Sequence, residues 1–282
     1  MLCAEKPRLL ALDMDGTLLT SDGKITEASR TAIRASQAAG CEVVLATGRN
    51  YDGIPWQELN GVTLDYAITT NGSSLYGVRD RACLYEKCLS GFAMAPVFDW
   101  LLRQQVYIDV YVDGRDYVPQ EVLPLIGKLN LPEYILRELS RSRTPITGFV
   151  EKLRDGTLAV QKCTLNFPRE SDGSLHHYAK TLHYLQAVPD ITVVDGGVSN
   201  LEFTVSSTSK GSCLARLAEQ LSIPLTRTMA IGDSENDLEM LQTVGIGVAM
   251  GNASDVIRAA AKAVTRTNDE DGVATAIQKF IL

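Results

Sequence analysis

Two carboxylates one residue apart, Asp13 and Asp15, end a short apolar run in the stretch Arg8-Leu9-Leu10-Ala11-Leu12-Asp13-Met14-Asp15-Gly16-Thr17-Leu18. In an extended chain they share a face, and Gly16 lets the backbone turn away directly after them. Carboxylates that close repel, so the pKa of one rises unless a cation intervenes. A hard divalent ion with oxygen ligands, Mg²⁺ before others, resolves the conflict. One acid then stays ionised as a nucleophile while the other carries a proton. A second reading fits the same residues, a glycine turn after a strand with Asp15 as its cap. The rest of the chain has to choose.

Three further positions carry polar chemistry. Thr47-Gly48-Arg49 follows an apolar run at 41–46, and Gly232-Asp233-Ser234-Glu235-Asn236-Asp237 follows another at 229–231. A hydroxyl and a backbone N–H at a strand's end suit a phosphate oxygen, although a plain strand-to-loop turn also accounts for Thr47 and Gly48. Arg49 reaches a substrate or closes an ion pair of its own, and both readings stay open. Ser209-Lys210-Gly211 precedes an expected helix at 212–221, which puts an ammonium and free backbone donors where an anion could sit. In a parallel sheet the strand ends gather along one edge, so the four positions are expected to meet in one crevice.

The elements required for this are readable. A helix capped by Thr26, with Ser29 three residues on, separates the strand at 9–12 from the strand at 41–46 and is closed by Gly40. This strand–helix–strand order implies a parallel pair with a right-handed crossover. A third strand at 65–69 runs into Thr70-Asn71-Gly72, followed by a hairpin of 75–77 with 83–86; Asn71 faces the mouth of the crevice or simply serves the turn. Between about 87 and 195 the pattern changes to alternating strands at 106–112, 161–167 and 191–194 with helices at 92–104 and 175–186. The expected fold is therefore α/β: a Rossmann-like, doubly wound parallel-sheet core formed by 1–86 and 196–282, carrying an inserted α+β domain at 87–195.

On these residues the chain resembles the haloacid dehalogenase-like phosphatases. Asp13-Met14-Asp15-Gly16-Thr17-Leu18 is similar to their first motif, Thr47 to the second, Lys210 to the third and Gly232-Asp233-x-x-Asn236-Asp237 to the fourth. Thr69-Thr70-Asn71-Gly72 and Ser209-Lys210-Gly211 look like the Cof-type subgroup, which has a large α/β cap inserted between the second and third motifs. The resemblance implies a Mg²⁺-dependent phosphatase acting on a small phosphomonoester, a sugar phosphate or a phosphorylated cofactor. Asp13 would be the nucleophile and Asp15 the acid and base. Mg²⁺ would be held by Asp13, the Asp15 carbonyl and Asp233. Met14, Thr47, Gly48, Lys210 and Asn236 would hold the phosphoryl group, and Asp237 would orient Lys210 or a metal-bound water. The cap would close over the crevice, with hinges at 88–91 and 196–200, and supply selectivity. A phosphomutase using the same phospho-aspartate is an alternative, as is a catalytically weak metabolite-binding regulator.

Composition narrows the partners. A net charge of −7 in 282 residues provides no basic stripe for nucleic acid or an anionic membrane, so neither partner is expected. No signal-peptide pattern and no apolar run of membrane-spanning length appear, and a cytoplasmic location is expected. The sequence assigns no oligomeric state. Six cysteines without a Cys-x-x-Cys pair read as reduced thiols. His176, His177 and His183 read as residues of a surface helix before a metal site. Tyr107, Tyr111 and Tyr117 read as sheet packing first and a substrate wall second.

Overall fold

The computed structural model describes residues 6–129, 131, 133–195 and 200–282. Its contacts divide the chain into two units, one formed by residues 1–85 and 208–282 and the other by Glu86–Ser207.

In the first unit, β1 (Leu9–Leu12) is completely buried, which an uninterrupted apolar strand requires when helices cover both faces of its sheet. It is followed by α1 (Glu27–Ala38), β2 (Glu42–Ala46), β3 (Tyr66–Thr69), β4 (Ser74–Gly77) and β5 (Cys83–Glu86). Thr26 caps α1 by accepting from the Ser29 N–H at 3.1 Å, the role its spacing predicts. β1 pairs in parallel with β2, and β2 with β3, whereas β4 returns antiparallel to β3.

The second unit then contributes α2 (Gly91–Arg103), β6 (Tyr107–Val112), β7 (Arg115–Pro119), α3 (Glu133–Ser142), β8 (Thr144–Ile146), α4 (Phe149–Arg154), β9 (Lys162–Asn166), α5 (Tyr178–Gln186), β10 (Ile191–Asp195) and β11 (Asn200–Val205). Its six-stranded sheet has the order β10-β11-β9-β6-β7-β8 and is antiparallel throughout except for the parallel β7 and β8. Phe98 and Leu101 of α2 and Phe149 and Leu153 of α4 cover Ile108, Val110, Cys163 and Leu165 on one face.

The chain returns to the first unit with α6 (Lys210–Gln220), β12 (Thr228–Gly232), α7 (Leu238–Thr243), β13 (Ile246–Ala249), α8 (Asp255–Ala260), β14 (Ala263–Val264) and α9 (Gly272–Phe280). The eight-stranded sheet runs β14-β13-β12-β1-β2-β3-β4-β5. Alternate residues of its strands point to opposite cores: Leu10, Leu12, Val43 and Leu45 pack with Ile33 of α1 and Ile277 of α9, while Leu9, Ala11 and Val44 pack with Leu214 and Leu217 of α6 and Met240 of α7. Each such leucine or isoleucine removed from water stabilises the unit by about 1.5–3 kcal/mol. This is the doubly wound arrangement the sequence implies.

Three expectations change. The return to the first unit falls after Ser207 and not at 196, because Asn200–Val205 pairs with both β9 and β10 and so completes the antiparallel sheet. Residues 196–199, most of one expected hinge, lie outside the described residues. The other, at 88–91, is tied into the second unit: Leu89 donates its N–H to the Val160 carbonyl at 2.8 Å, and Ser90 caps α2. The tyrosines do not form one wall, since Tyr107 and Tyr111 share a face of β6 whereas Tyr117 sits opposite Val110 on the other. No described helix is long and apolar enough to cross a membrane. The described cysteines, Cys41, Cys83, Cys88, Cys163 and Cys213, are free thiols, and Cys3 lies outside the described residues.

Candidate active site

The sheet order places β1 between β12 and β2, so the chain leaving β1 at Asp13 is flanked by the ends of β12 (Asp233) and β2 (Thr47). Asp13 ends a strand with no room for solvent and is itself 4% exposed. The chain then makes a tight turn through Met14–Leu18, in which Gly16 has φ +75. A Cβ at Gly16 would also lie 2.4 Å from an Asp233 carboxylate oxygen. Glycine is required there twice, once by the turn and once by the approach of Asp233.

Lys210 arrives differently from the expectation. It is not at a strand end of the parallel sheet, because the strand preceding it belongs to the other unit; it is the first residue of α6, inside the helix and 1% exposed. Ser209 and Ser212 form a reciprocal capping box that fixes this first turn. The Asn71-Gly72 turn packs directly on it: Gly72 has φ +91, and a Cβ there would fall 2.0 Å from the Ser209 carbonyl oxygen.

From this position Lys210 Nζ donates to Asp13 Oδ1 at 2.7 Å, to Asp237 Oδ1 at 2.7 Å and to Asn236 Oδ1 at 3.1 Å. Asn236 Nδ2 in turn donates to Asn71 Oδ1 at 3.0 Å. Gly48 lies against the Asn71 and Asn236 amides. Asp237 is fully engaged, since its second oxygen accepts from the backbone N–H groups of Asp233 and Ser234 at 3.0 and 3.1 Å. Asp233 Oδ1 accepts from the Thr17 hydroxyl at 2.9 Å. Asp13, Asp233 and Asp237 each offer an oxygen within 4.8 Å of the others.

The electrostatics follow. Burial raises the Asp13 pKa well above the usual carboxylate range, the Asp237 charge adds to this, and Lys210 only partly offsets it. Asp233 is also raised, by burial and by Asp237, against a lowering hydrogen bond from Thr17. Burial alone would lower Lys210, but Asp13 and Asp237 override it and hold the ammonium firmly charged. Three carboxylates face one ammonium, an excess of two negative charges that a divalent cation would balance. The donors are all hard oxygens, and Asp13 and Asp233 are the carboxylates not consumed by backbone amides. The set fits Mg²⁺ held by Asp13 and Asp233, with Asp237 spent on holding Lys210 and the Asp233 loop.

Asp15 stands apart from this buried group. Its side chain is 58% exposed and is gripped by Arg49 through two bonds, Nε to Oδ2 at 2.8 Å and Nη2 to Oδ1 at 2.7 Å. Thr47, fully buried, accepts the Arg49 N–H on its hydroxyl oxygen at 3.1 Å.

A sequence profile of the haloacid dehalogenase-like hydrolases matches residues 10–277, a span that includes every residue of this site. The chain belongs to this family. As a haloacid dehalogenase-like hydrolase it is 33% identical to phosphatase YwpJ of Bacillus subtilis, covering 95% of this chain and 97% of that protein. It is 27% identical to pyridoxal phosphate phosphatase YbhA of Escherichia coli over 98% and 99% of the two chains. The solved structure of a haloacid dehalogenase-like hydrolase from B. subtilis superposes with a TM-score of 0.79 at 30% identity, covering 96% of this chain and 99% of that one.

Asn71 also donates its backbone N–H to the Thr47 carbonyl at 3.1 Å, so the structure brings Asp13, Thr47, Gly48, Lys210, Asp233, Asn236 and Asp237 of this hydrolase into one network, with Met14 buried in the turn between the two aspartates. Sequence reasoning left the part played by Asn71 open. Its partner across the chain, Asn236, gives it one. The histidines do not share a helix as expected: only His183 lies on α5, while His176, before the helix, bonds Glu170 and stacks on His177 with ring centroids 3.9 Å apart.

Proposed function

We propose that this hydrolase is a Mg²⁺-dependent phosphatase that cleaves a small phosphomonoester through a phospho-Asp13 intermediate. The observation that carries the reading is the buried Lys210, bonded at once to Asp13 and Asp237 beside Asp233. An ammonium and an oxygen-only cation site on either side of one carboxylate match the charge that develops when a phosphoryl group is transferred to it.

In the first step an Asp13 oxygen attacks phosphorus in line, the bond from phosphorus to the ester oxygen breaks, and Asp15 gives its proton to the departing alkoxide. In the second, a water oxygen attacks phosphorus while Asp15 takes the water's proton; the bond from Asp13 to phosphorus breaks and inorganic phosphate leaves. Lys210, the Thr47 hydroxyl, the Met14 and Gly48 amides and the Asn236 amide hold the phosphoryl oxygens. The Thr47 oxygen already accepts from Arg49, which leaves its O–H to donate. Asp13, Asp233 and the Asp15 carbonyl would hold Mg²⁺, which when bound supplies Lewis-acid neutralisation of the phosphate charge. The second unit, as the cap, supplies selectivity. A phosphorylated cofactor or sugar is the fitting class of substrate, in keeping with the relative named for pyridoxal phosphate.

The test is phosphate release from a panel of phosphomonoesters, with Mg²⁺ and with chelator. Release that needs the metal and is lost in Asp13→Asn supports the reading; isomerised product without free phosphate would replace it with a phosphomutase.

A further inference from the structure

The grip of Arg49 on Asp15 is the most specific contact in the site that the mechanism above does not use. The guanidinium is committed on three sides: Nε and Nη2 to the two Asp15 oxygens, and Nη1 to the Gly53 carbonyl at 2.8 Å. Its backbone is equally fixed, with the N–H on Thr47 Oγ1 at 3.1 Å and the carbonyl accepting from the Thr70 N–H at 2.8 Å. Asp15, by contrast, sits on an exposed turn whose buried neighbours hold the backbone and leave its side chain to solvent. An exposed carboxylate on such a turn has several rotamers of similar energy, and a planar fork that meets both oxygens selects one.

Stability is a poor explanation for this arrangement. The two side chains are 37% and 58% exposed, and ion pairs that open to water add little to folding. Orientation is a better one, because proton transfer to a leaving oxygen depends on where the carboxyl points.

We propose that Arg49 is a positioning residue for the reaction, fixing the direction of the Asp15 carboxyl through the bidentate contact and acting on substrate only through it. This deepens the phosphatase reading and rests on it. Three consequences separate it from a direct phosphate ligand and from a merely structural arginine. Loss of the fork should hurt esters that need protonation of a poor leaving group more than esters with a good one. It should leave the affinity for inorganic phosphate nearly unchanged. And it should cost nothing further once Asp15 cannot transfer a proton.

The experiment compares kcat/KM of wild type, Arg49→Lys, Asp15→Asn and the double variant on an alkyl phosphate and on p-nitrophenyl phosphate, with inhibition by inorganic phosphate measured alongside. Arg49→Lys keeps the charge and loses the fork. It should lower kcat/KM for the alkyl ester at least about tenfold more than for the aryl ester, part of the roughly 10²–10⁴-fold that general acid catalysis supplies. The inhibition constant for phosphate should move by less than about threefold, and Arg49→Lys should have no further effect in the Asp15→Asn background, as a shared pathway requires. Parallel losses on both esters, a phosphate inhibition constant that rises with the loss, or additive effects in the double variant would each overturn the assignment. Absence of wild-type release from either ester would overturn the phosphatase reading and this one together, whereas wild-type turnover with parallel losses overturns Arg49 alone.

Discussion

At the residue scale the site is governed by one buried cation. Lys210 is 1% exposed and holds two carboxylates at 2.7 Å, so its removal leaves Asp13 and Asp237 facing each other without compensation. Breaking such a pair from one side costs about 3–5 kcal/mol. Lys210→Met should therefore lower the urea unfolding free energy by that order and abolish phosphate release; a variant of unchanged stability would mean that the network is solvated and weak. Gly16→Ala should also destabilise, by more than about 1 kcal/mol, because the new methyl meets Asp233 and a positive φ at once. The types and spacing of these residues were legible in the sequence because the chemistry restricts them so tightly. What Arg49 does was not, since an arginine after a loop fits a substrate ligand and an ion pair equally well until its partner is seen. Asn71 was hidden for a similar reason: an Asn-Gly turn explains itself locally, and only the Asn236 contact across the chain gives it a second role.

At the element scale, the first turn of α6 matters more than its length. The Ser209 cap accepts from the Ser212 N–H at 2.9 Å and sets the helix start that carries Lys210. Ser209→Ala should cost about 1 kcal/mol, the usual worth of a cap, and depress phosphate release with it. In the second unit, β6 carries a charge where a strand is buried: Asp109 is 2% exposed and meets Arg143 at 3.1 and 3.4 Å. Arg143 is pushed up by Asp109 and Asp116, which favours the pair, yet burial still raises Asp109 to about 6 because its long contacts do not repay full desolvation. A carboxyl whose folded pKa exceeds its unfolded value binds more protons when folded. The contribution of Asp109 to stability should then fall as pH rises from about 4 to about 6 and level off above, by about 3 kcal/mol in all. Urea midpoints of wild type and Asp109→Asn across that range check this; the variant should lack this increment and keep only the slope from the other raised carboxyls, Asp13 and Asp233 among them. The strands and most helices follow from periodicity, but α3, α4, α7 and β8 were not anticipated. α4, α7 and β8 are too short for a period to be read, whereas α3, at 10 residues, is long enough to show one.

At the scale of the whole molecule, the two sheets show why the domain boundary was misplaced. Asn200–Val205 alternates like any half-buried strand, and nothing in it says which of two sheets it completes; pairing with β9 and β10 decides that. The parallel pairing of β1 with β2, by comparison, was implied by a strand–helix–strand connection that permits one handedness, whereas the place of β12 on the other side of β1 is seen only in the fold. If Asp13 and Asp233 hold Mg²⁺ in the folded chain only, the metal should raise the apparent unfolding free energy by about 2.7 kcal/mol at a hundredfold excess over its dissociation constant. Asp233→Asn should remove that increment, read by thermal melts without any substrate. The account rests finally on Asp13 as the nucleophile. The most direct measurement is to quench a reaction with radiolabelled phosphomonoester in acid and map the label on the protein. A hydroxylamine-sensitive acyl phosphate on Asp13, absent in Asp13→Asn, is the predicted result. Phosphate release by the wild type with no label on Asp13, or with the label on another residue, would contradict it.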